Sequence, residues 1–312
     1  MLAVPFGLYD AFTDNAFGGS QAGVVSDAAW IDSNTRLKIA RELGFPATCF
    51  VTDHNDHSIT ARFQSTEKEY SMCGHGTICL MTRMIEMGIL DWQGRDRIEA
   101  QLRINSSISP VEIFKREDGR ALVMLDINPP SFHNSRLDTE LLAKLLSIRS
   151  DDFDNSLPIE SAHGDFIHLI VPVNGLHVMG RIEPDFPNLK KFCFDNAIET
   201  VAVFCKEVKQ SGYNIHVRDF CPAVGVAESA AAGTTNAALT SYLIRHNLMR
   251  KDAGEQLIIL AEQGLEINRP SSIRSVVSMN AGMIERLQVG GVATKVFDGK
   301  LYLPASKHDK IT

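Results

Sequence analysis

The sequence predicts an α+β protein of two pseudo-symmetric domains, each a mostly antiparallel sheet wrapped around a central helix. Three observations predict it. Polar and apolar residues alternate with period two between turn residues, the pattern of half-buried strands. Two helical stretches, beginning at Cys73 and Ala232, are apolar nearly all round, which suits a helix enclosed by its own domain's sheet. Those two stretches also match each other, and each follows a strand-like run.

Taken in order, residues 4–12, 48–52 and 59–63 read as strands, and 34–43 as an amphipathic helix stopped by Gly44. The first enclosed helix follows Cys73. Residues 97–127 alternate and break at Glu117-Asp118-Gly119, a hairpin turn between antiparallel strands, and Pro129-Pro130 then punctuates the chain. The second cycle has a helix near 138–146, strands near 166–173, 201–205 and 213–220, the second enclosed helix, and hairpins to Leu303. Gly175, Gly212, Gly290-Gly291 and Gly299 read as turn punctuation. No Pro/Ser-rich linker separates the halves, so tight packing is expected. The expected domains are 1–128, completed by strands near 292–306, and 129–291.

The repeat sets Cys73 against Ala232, an offset of 159 residues, so that Gly74 meets Gly233, Leu80 meets Leu239 and Ile85 meets Ile244. Three identities in sixteen positions carry little alone. The shared order of strand ending in Phe (Phe63, Phe220), polar loop, Gly and apolar helix carries more.

Composition bounds the function. The 312 residues, 44% apolar and 22% charged, suit an ordinary globular protein with one large or two medium cores. A net charge of −7 without a Lys/Arg run lacks the footprint that nucleic acid or anionic lipid requires. No apolar run is long enough for a membrane span and residues 1–10 lack a signal-like pattern, so a cytoplasmic protein is expected. The six cysteines form no CxxC cluster, which argues against both a zinc site and a disulfide scaffold.

Chemistry concentrates at the two helix starts. First-turn N–H groups and the helix dipole attract a carboxylate, and glycine there lets a ligand approach the backbone. That makes Gly74, Gly76 and Gly233 candidate binding positions. Cys73 stands at one start, where the dipole and the His75 imidazole are expected to favour thiolate, a base; the alternative is a buried small apolar residue. His75 reads as general acid or charge partner, or as a capping group. At the second start, Thr234 and Thr235 offer donors for a carboxylate, and Glu228 a second base or an ammonium site; all three are also ordinary capping types. Asn15 and Gln21, in the opening loop, are candidate ligand contacts or turn residues.

These residues resemble the PhzF-like isomerases of phenazine biosynthesis, which share the diaminopimelate epimerase fold. The likeness runs through residues 9–25, 39–45 and Phe50-Val51, then Cys73-Gly74-His75, then 217–225 with Glu228 and Gly233, and finally 262–264 and 269–271. It implies an active site in the interdomain cleft, proton transfer with no cofactor or metal, a small carboxylate or amino-acid-like substrate, and a homodimer.

Departures from the family pattern narrow this. In the phenazine isomerases a Glu-Thr pair precedes the Phe-Val strand and its Glu is the acid/base; here the pair is Ala47-Thr48, leaving Thr48 as a substrate contact. The Asp that follows the family's Glu is Ser229. Diaminopimelate epimerases and proline racemases place a second cysteine where this chain has Ala232. The expectation is therefore a one-thiol isomerase or epimerase using Cys73, with His75 and Glu228 assisting. A one-thiol dehydratase and a non-catalytic binding protein are the alternatives.

Overall fold

The computed structural model describes residues 1–134, 137–249, 256–280 and 282–304. The α+β class read from the sequence is what it shows: long strands with few helices. The chain divides into two compact units, Met1–Leu125 with the chain from Gly291 onward, and Asp126–Gly290. Residues 305 and 306 of the last expected strand lie outside the described residues.

The first unit contains β1 (Leu2–Ala11), β2 (Ser20–Val25), α1 (Ser33–Leu43), β3 (Ala47–His54), β4 (Ser58–Gln64), β5 (Glu69–Tyr70), α2 (Gly74–Glu86), β6 (Arg97–Ile104), β7 (Ser107–Lys115) and most of β8 (Ala121–Asp126). The second contains β9 (Ser131–His133), α3 (Thr139–Leu145), β10 (Glu160–His163), β11 (Ile167–Pro172), α4 (Leu176–Met179), α5 (Phe186–Asp195), β12 (Thr200–Cys205), β13 (Ile215–Cys221), β14 (Val226–Ser229), α6 (Gly233–Arg245), β15 (Leu257–Gln263), β16 (Ser271–Asn280) and β17 (Met283–Gly291). The chain then returns to pair β18 (Ala293–Leu303) antiparallel with β1.

Strand pairing repeats between the units. β1–β2 is antiparallel, β2–β3 parallel, β3–β4 and β4–β5 antiparallel, β4–β6 parallel. β10–β11, β11–β12, β12–β13, β13–β14 and β13–β15 follow the same sequence of senses. The two enclosed helices agree to the residue: Cys73 and Ala232 are both N-caps in extended conformation, and the buried runs 76–84 and 235–243 are offset by the same 159 positions. At the matched fourth helical positions Thr77 and Asn236 each donate to the N-cap carbonyl, at 2.8 and 2.9 Å. Each bond adds a second donor to a carbonyl that already accepts the backbone N–H of the same residue, while the N-cap side chains themselves accept nothing.

Period-two alternation sorts each strand between two layers. In the second unit Leu169, Val171, Val201, Val203 and Phe220 face a core built with Leu142, Leu189 and Phe192 of α3 and α5. The intervening residues face α6, as Phe204 against Tyr242 and Asp219 against Thr235 show. The first unit repeats this, with Phe6, Val25 and Phe50 packing toward Ile39 of α1.

Three expectations need correction. The matched phenylalanines are not structural counterparts: Phe63 lies under α2, whereas Phe220 faces the α3–α5 layer. Residues 97–115 form two strands, because Asn105 takes up the left-handed conformation (φ 54°) that closes the β6–β7 turn. Gly290, Gly291 and Gly299 lie within strands.

Candidate active site

Cys73 sits at the N-cap of α2, 6% exposed, with its sulfur 3.7 and 3.8 Å from Nδ1 and Nε2 of His75. Nearly equal distances mean that the sulfur lies along neither ring nitrogen's lone pair, so the contact is loose. The sequence-based expectation of a dipole-stabilised thiolate is corrected here. Burial pushes the Cys73 thiol up to about 12, against a smaller downward pull from the Gly76 backbone. Burial likewise lowers His75 to about 4. The resting pair is a neutral thiol beside a neutral imidazole, with desolvation outweighing the half-charge of the helix end.

The glycines of this start differ. A Cβ on Gly76 would meet the Cys73 sulfur at 2.9 Å and the Phe63 ring at 2.9 Å, whereas one on Gly74 would meet nothing within 4 Å. Gly76 therefore makes room for the thiol, and Gly74 leaves the backbone open on one side. Cys49 donates its S–H to the Gly76 carbonyl at 3.3 Å, which anchors the turn from β3. A cavity of about 350 Å³ in this unit lies at the opposite end of α2, beside Met87, Ser26 and Asp53.

The other predicted residues are distributed unevenly. Thr48 is fully buried but alternates with Cys49, so it shares the α1-facing side of β3 with Phe50 and does not line the helix start. Asn15 is exposed, its N–H donating to the Thr13 hydroxyl, and Gln21 is half-buried opposite Asp10 in the β1–β2 ladder.

At the second helix start, Gly233 and Thr234 are partly exposed, while Thr235 is buried and donates to Asp219 Oδ2 at 2.8 Å. Its hydroxyl is committed within the protein, against the expectation of a substrate contact. Glu228 accepts from Arg218 Nε and Nη2 at 2.9 and 2.8 Å, so both oxygens are engaged and it does not stand as a free base. Arg218 also donates to the Met179 and Ile182 carbonyls, which ties β13 to the loop after α4.

Sequence reading missed Asp219 and His168. Burial pushes the Asp219 carboxyl up to about 6, opposed most strongly by the hydrogen bond from Thr235. Asp219 shares its side of β13 with Val217, but every residue of that strand is buried and periodicity alone does not say which side meets the helix.

Relatives that align over more than nine-tenths of both chains are named isomerases, which places this chain in the isomerase class of enzymes. A family model described as phenazine biosynthesis-like protein (PhzC-PhzF) matches residues 9–299, and the chain belongs to that family. It is 28% identical over 300 residues to an uncharacterised isomerase of Clostridium acetobutylicum, covering 94% of this chain and 96% of that one. It is also 28% identical over 285 residues to the trans-2,3-dihydro-3-hydroxyanthranilate isomerase of Pseudomonas chlororaphis, covering 91% and 94%. Among solved structures, the PhzF-family protein of Bacillus anthracis aligns with a TM-score of 0.88 at 25% identity, over 97% of this chain and 100% of that one. A hydroxyproline epimerase of Agrobacterium vitis shares the fold alone, at 12% identity and a TM-score of 0.61 over 96% and 92%.

Proposed function

We propose that the chain is a cofactor-independent isomerase or epimerase that moves a proton on a small amino-acid-like or hydroxy carboxylate, with Cys73 as principal acid/base. The observation that carries this reading is the buried Cys73 thiol 3.7 Å from the His75 ring at the start of α2. Such a pair holds one transferable proton, on sulfur, and one vacant proton acceptor, on the ring. The imidazole takes the thiol proton, and the thiolate so formed removes a proton from the carbon next to the substrate carboxylate and returns one to the product carbon. Proton transfer from the imidazolium to the thiolate then resets the pair. First-turn N–H groups of α2, reached past Gly74, hold the carboxylate. The Pseudomonas chlororaphis relative is named for a substrate with an amine, a hydroxyl and a carboxylate, which is the chemistry proposed here.

The test is incubation of the protein in D2O with a panel of amino and hydroxy acids, followed by proton NMR. Loss of a carbon-bound proton signal from at least one acid is expected. Binding without exchange across the panel contradicts an isomerase and leaves a binding protein.

A further inference from the structure

Because the units share one pattern of pairing, their residues can be matched one to one. Gly76 and Thr235 hold the same helical position; Gly76 lies over Phe63, and Thr235 over Asp219. Following the ladders outward, Phe63 pairs with Cys49 and Asp219 with Ala202. Two residues before these, Ala47 pairs with Ala22 and Thr200 with His168. The matched sets are thus Ala22, Ala47, Phe63 and Gly76 in the first unit, and His168, Thr200, Asp219 and Thr235 in the second. The first set has no polar side chain. The second is wholly polar, and each member is no more than 4% exposed.

The polar set is connected. His168 Nδ1 lies 2.7 Å from the Thr200 hydroxyl and 3.4 Å from that of Thr235, which donates to Asp219 Oδ2 at 2.8 Å. Asp219 Oδ1 is buried with no hydrogen-bond partner among the described residues. His168 and Thr234 line a cavity of about 10 Å³, the size of about one water, whose walls are mostly apolar, from Ile127, Pro130, Ala237 and Ala238, with Asp165 and Asn128 beside them. A buried carboxyl with an unpaired oxygen works against folding. Packing does not require it, because Phe63 fills the same place in the first unit.

We propose that His168, Thr200, Asp219 and Thr235 form a buried proton relay at the start of α6, a second acid/base centre that opens at His168 and ends in the Asp219 carboxyl. The inference rests on the reading of the chain as a proton-transfer isomerase. A proton entering on the ring leaves from Nδ1 to a threonine oxygen, and that hydroxyl gives its own proton to the Asp219 carboxylate. The reverse sequence returns it, so no atom is gained or lost. Burial supports these states, since it holds His168 unprotonated, at about 4, and raises the Asp219 carboxyl into the neutral range. The groups around Asp219 are His168 from β11, Thr200 from β12, Thr235 from α6, Cys221 of its own strand, and Glu228 of β14, whose charge Arg218 neutralises.

Two measurements on the full chain test the relay. Carbon-13 NMR titration of labelled aspartates should show one carboxyl titrating near pH 6, absent in Asp219→Asn and displaced in both His168→Gln and Thr235→Val. In the D2O assay, Asp219→Asn should cut exchange about 100-fold and remove the limb of the pH profile near 6, with thermal stability equal or higher. Full exchange and an unchanged profile in Asp219→Asn overturn the relay while leaving the isomerase reading intact. If the unmodified protein exchanges no acid, the isomerase reading fails instead. The titration then decides: a carboxyl indifferent to His168→Gln and Thr235→Val overturns the relay, and a coupled one upholds it.

Discussion

Two glycines two positions apart have opposite tolerances. Gly76→Ala forces a Cβ into the Cys73 sulfur and the Phe63 ring, an overpacking expected to cost about 1–3 kcal/mol and to displace the thiol. Gly74→Ala meets open space, and denaturant unfolding should show a change within about 0.5 kcal/mol. The Arg218–Glu228 pair gives a second residue-scale prediction. Both side chains are under 10% exposed, so Arg218→Met strands a buried carboxylate and frees two buried carbonyls. A loss of about 3–5 kcal/mol by denaturant unfolding is expected. The double variant Arg218→Met/Glu228→Gln should recover part of that loss, because no unpaired charge remains.

At the scale of elements, α2, α6 and their 159-residue register were legible because an all-round apolar helix has few sequence alternatives. Helix α1 was legible from its periodicity and from Gly44, whose φ of 69° ends it. Helix α5 was not read, although Asp185 caps it and a proline stands in its first turn. Its alternation of Phe and Lys was obscured by the flanking prolines and acidic residues. The one-residue error at Phe220 has a different cause: strand periodicity fixes which residues share a face, not which face meets the helix. That ambiguity hid Asp219. The protonation states at the Cys73 site were equally out of reach, since burial decides them and burial is a product of the whole fold.

The segment after β15 supplies a pH test at this scale. Burial acts to raise the Glu266 carboxyl, but hydrogen bonds from His216 and Lys209 hold it down to about 2. A carboxyl lowered on folding adds stability that is complete above its unfolded value, near 4.5, and is lost as pH falls through about 2. Thermal unfolding between pH 5 and 2 should show this decline, and Glu266→Gln should flatten it.

At the scale of the whole molecule, one architectural unit occurs twice and its two copies have diverged chemically. The first carries a thiol over an apolar floor of Phe63 and Gly76; the second carries alanine at the N-cap over a polar floor of Asp219 and Thr235. Among the described residues no helix is long and apolar enough to cross a membrane, and no group of three or more His, Cys, Asp or Glu is placed to hold a metal ion. The central claim is that proton transfer passes through Cys73. Its most direct test compares solvent deuterium incorporation by the unmodified protein and by Cys73→Ser, with circular dichroism confirming that both are folded. A loss of about 100-fold or more in the variant is the predicted result; exchange at the unmodified rate in Cys73→Ser would contradict it.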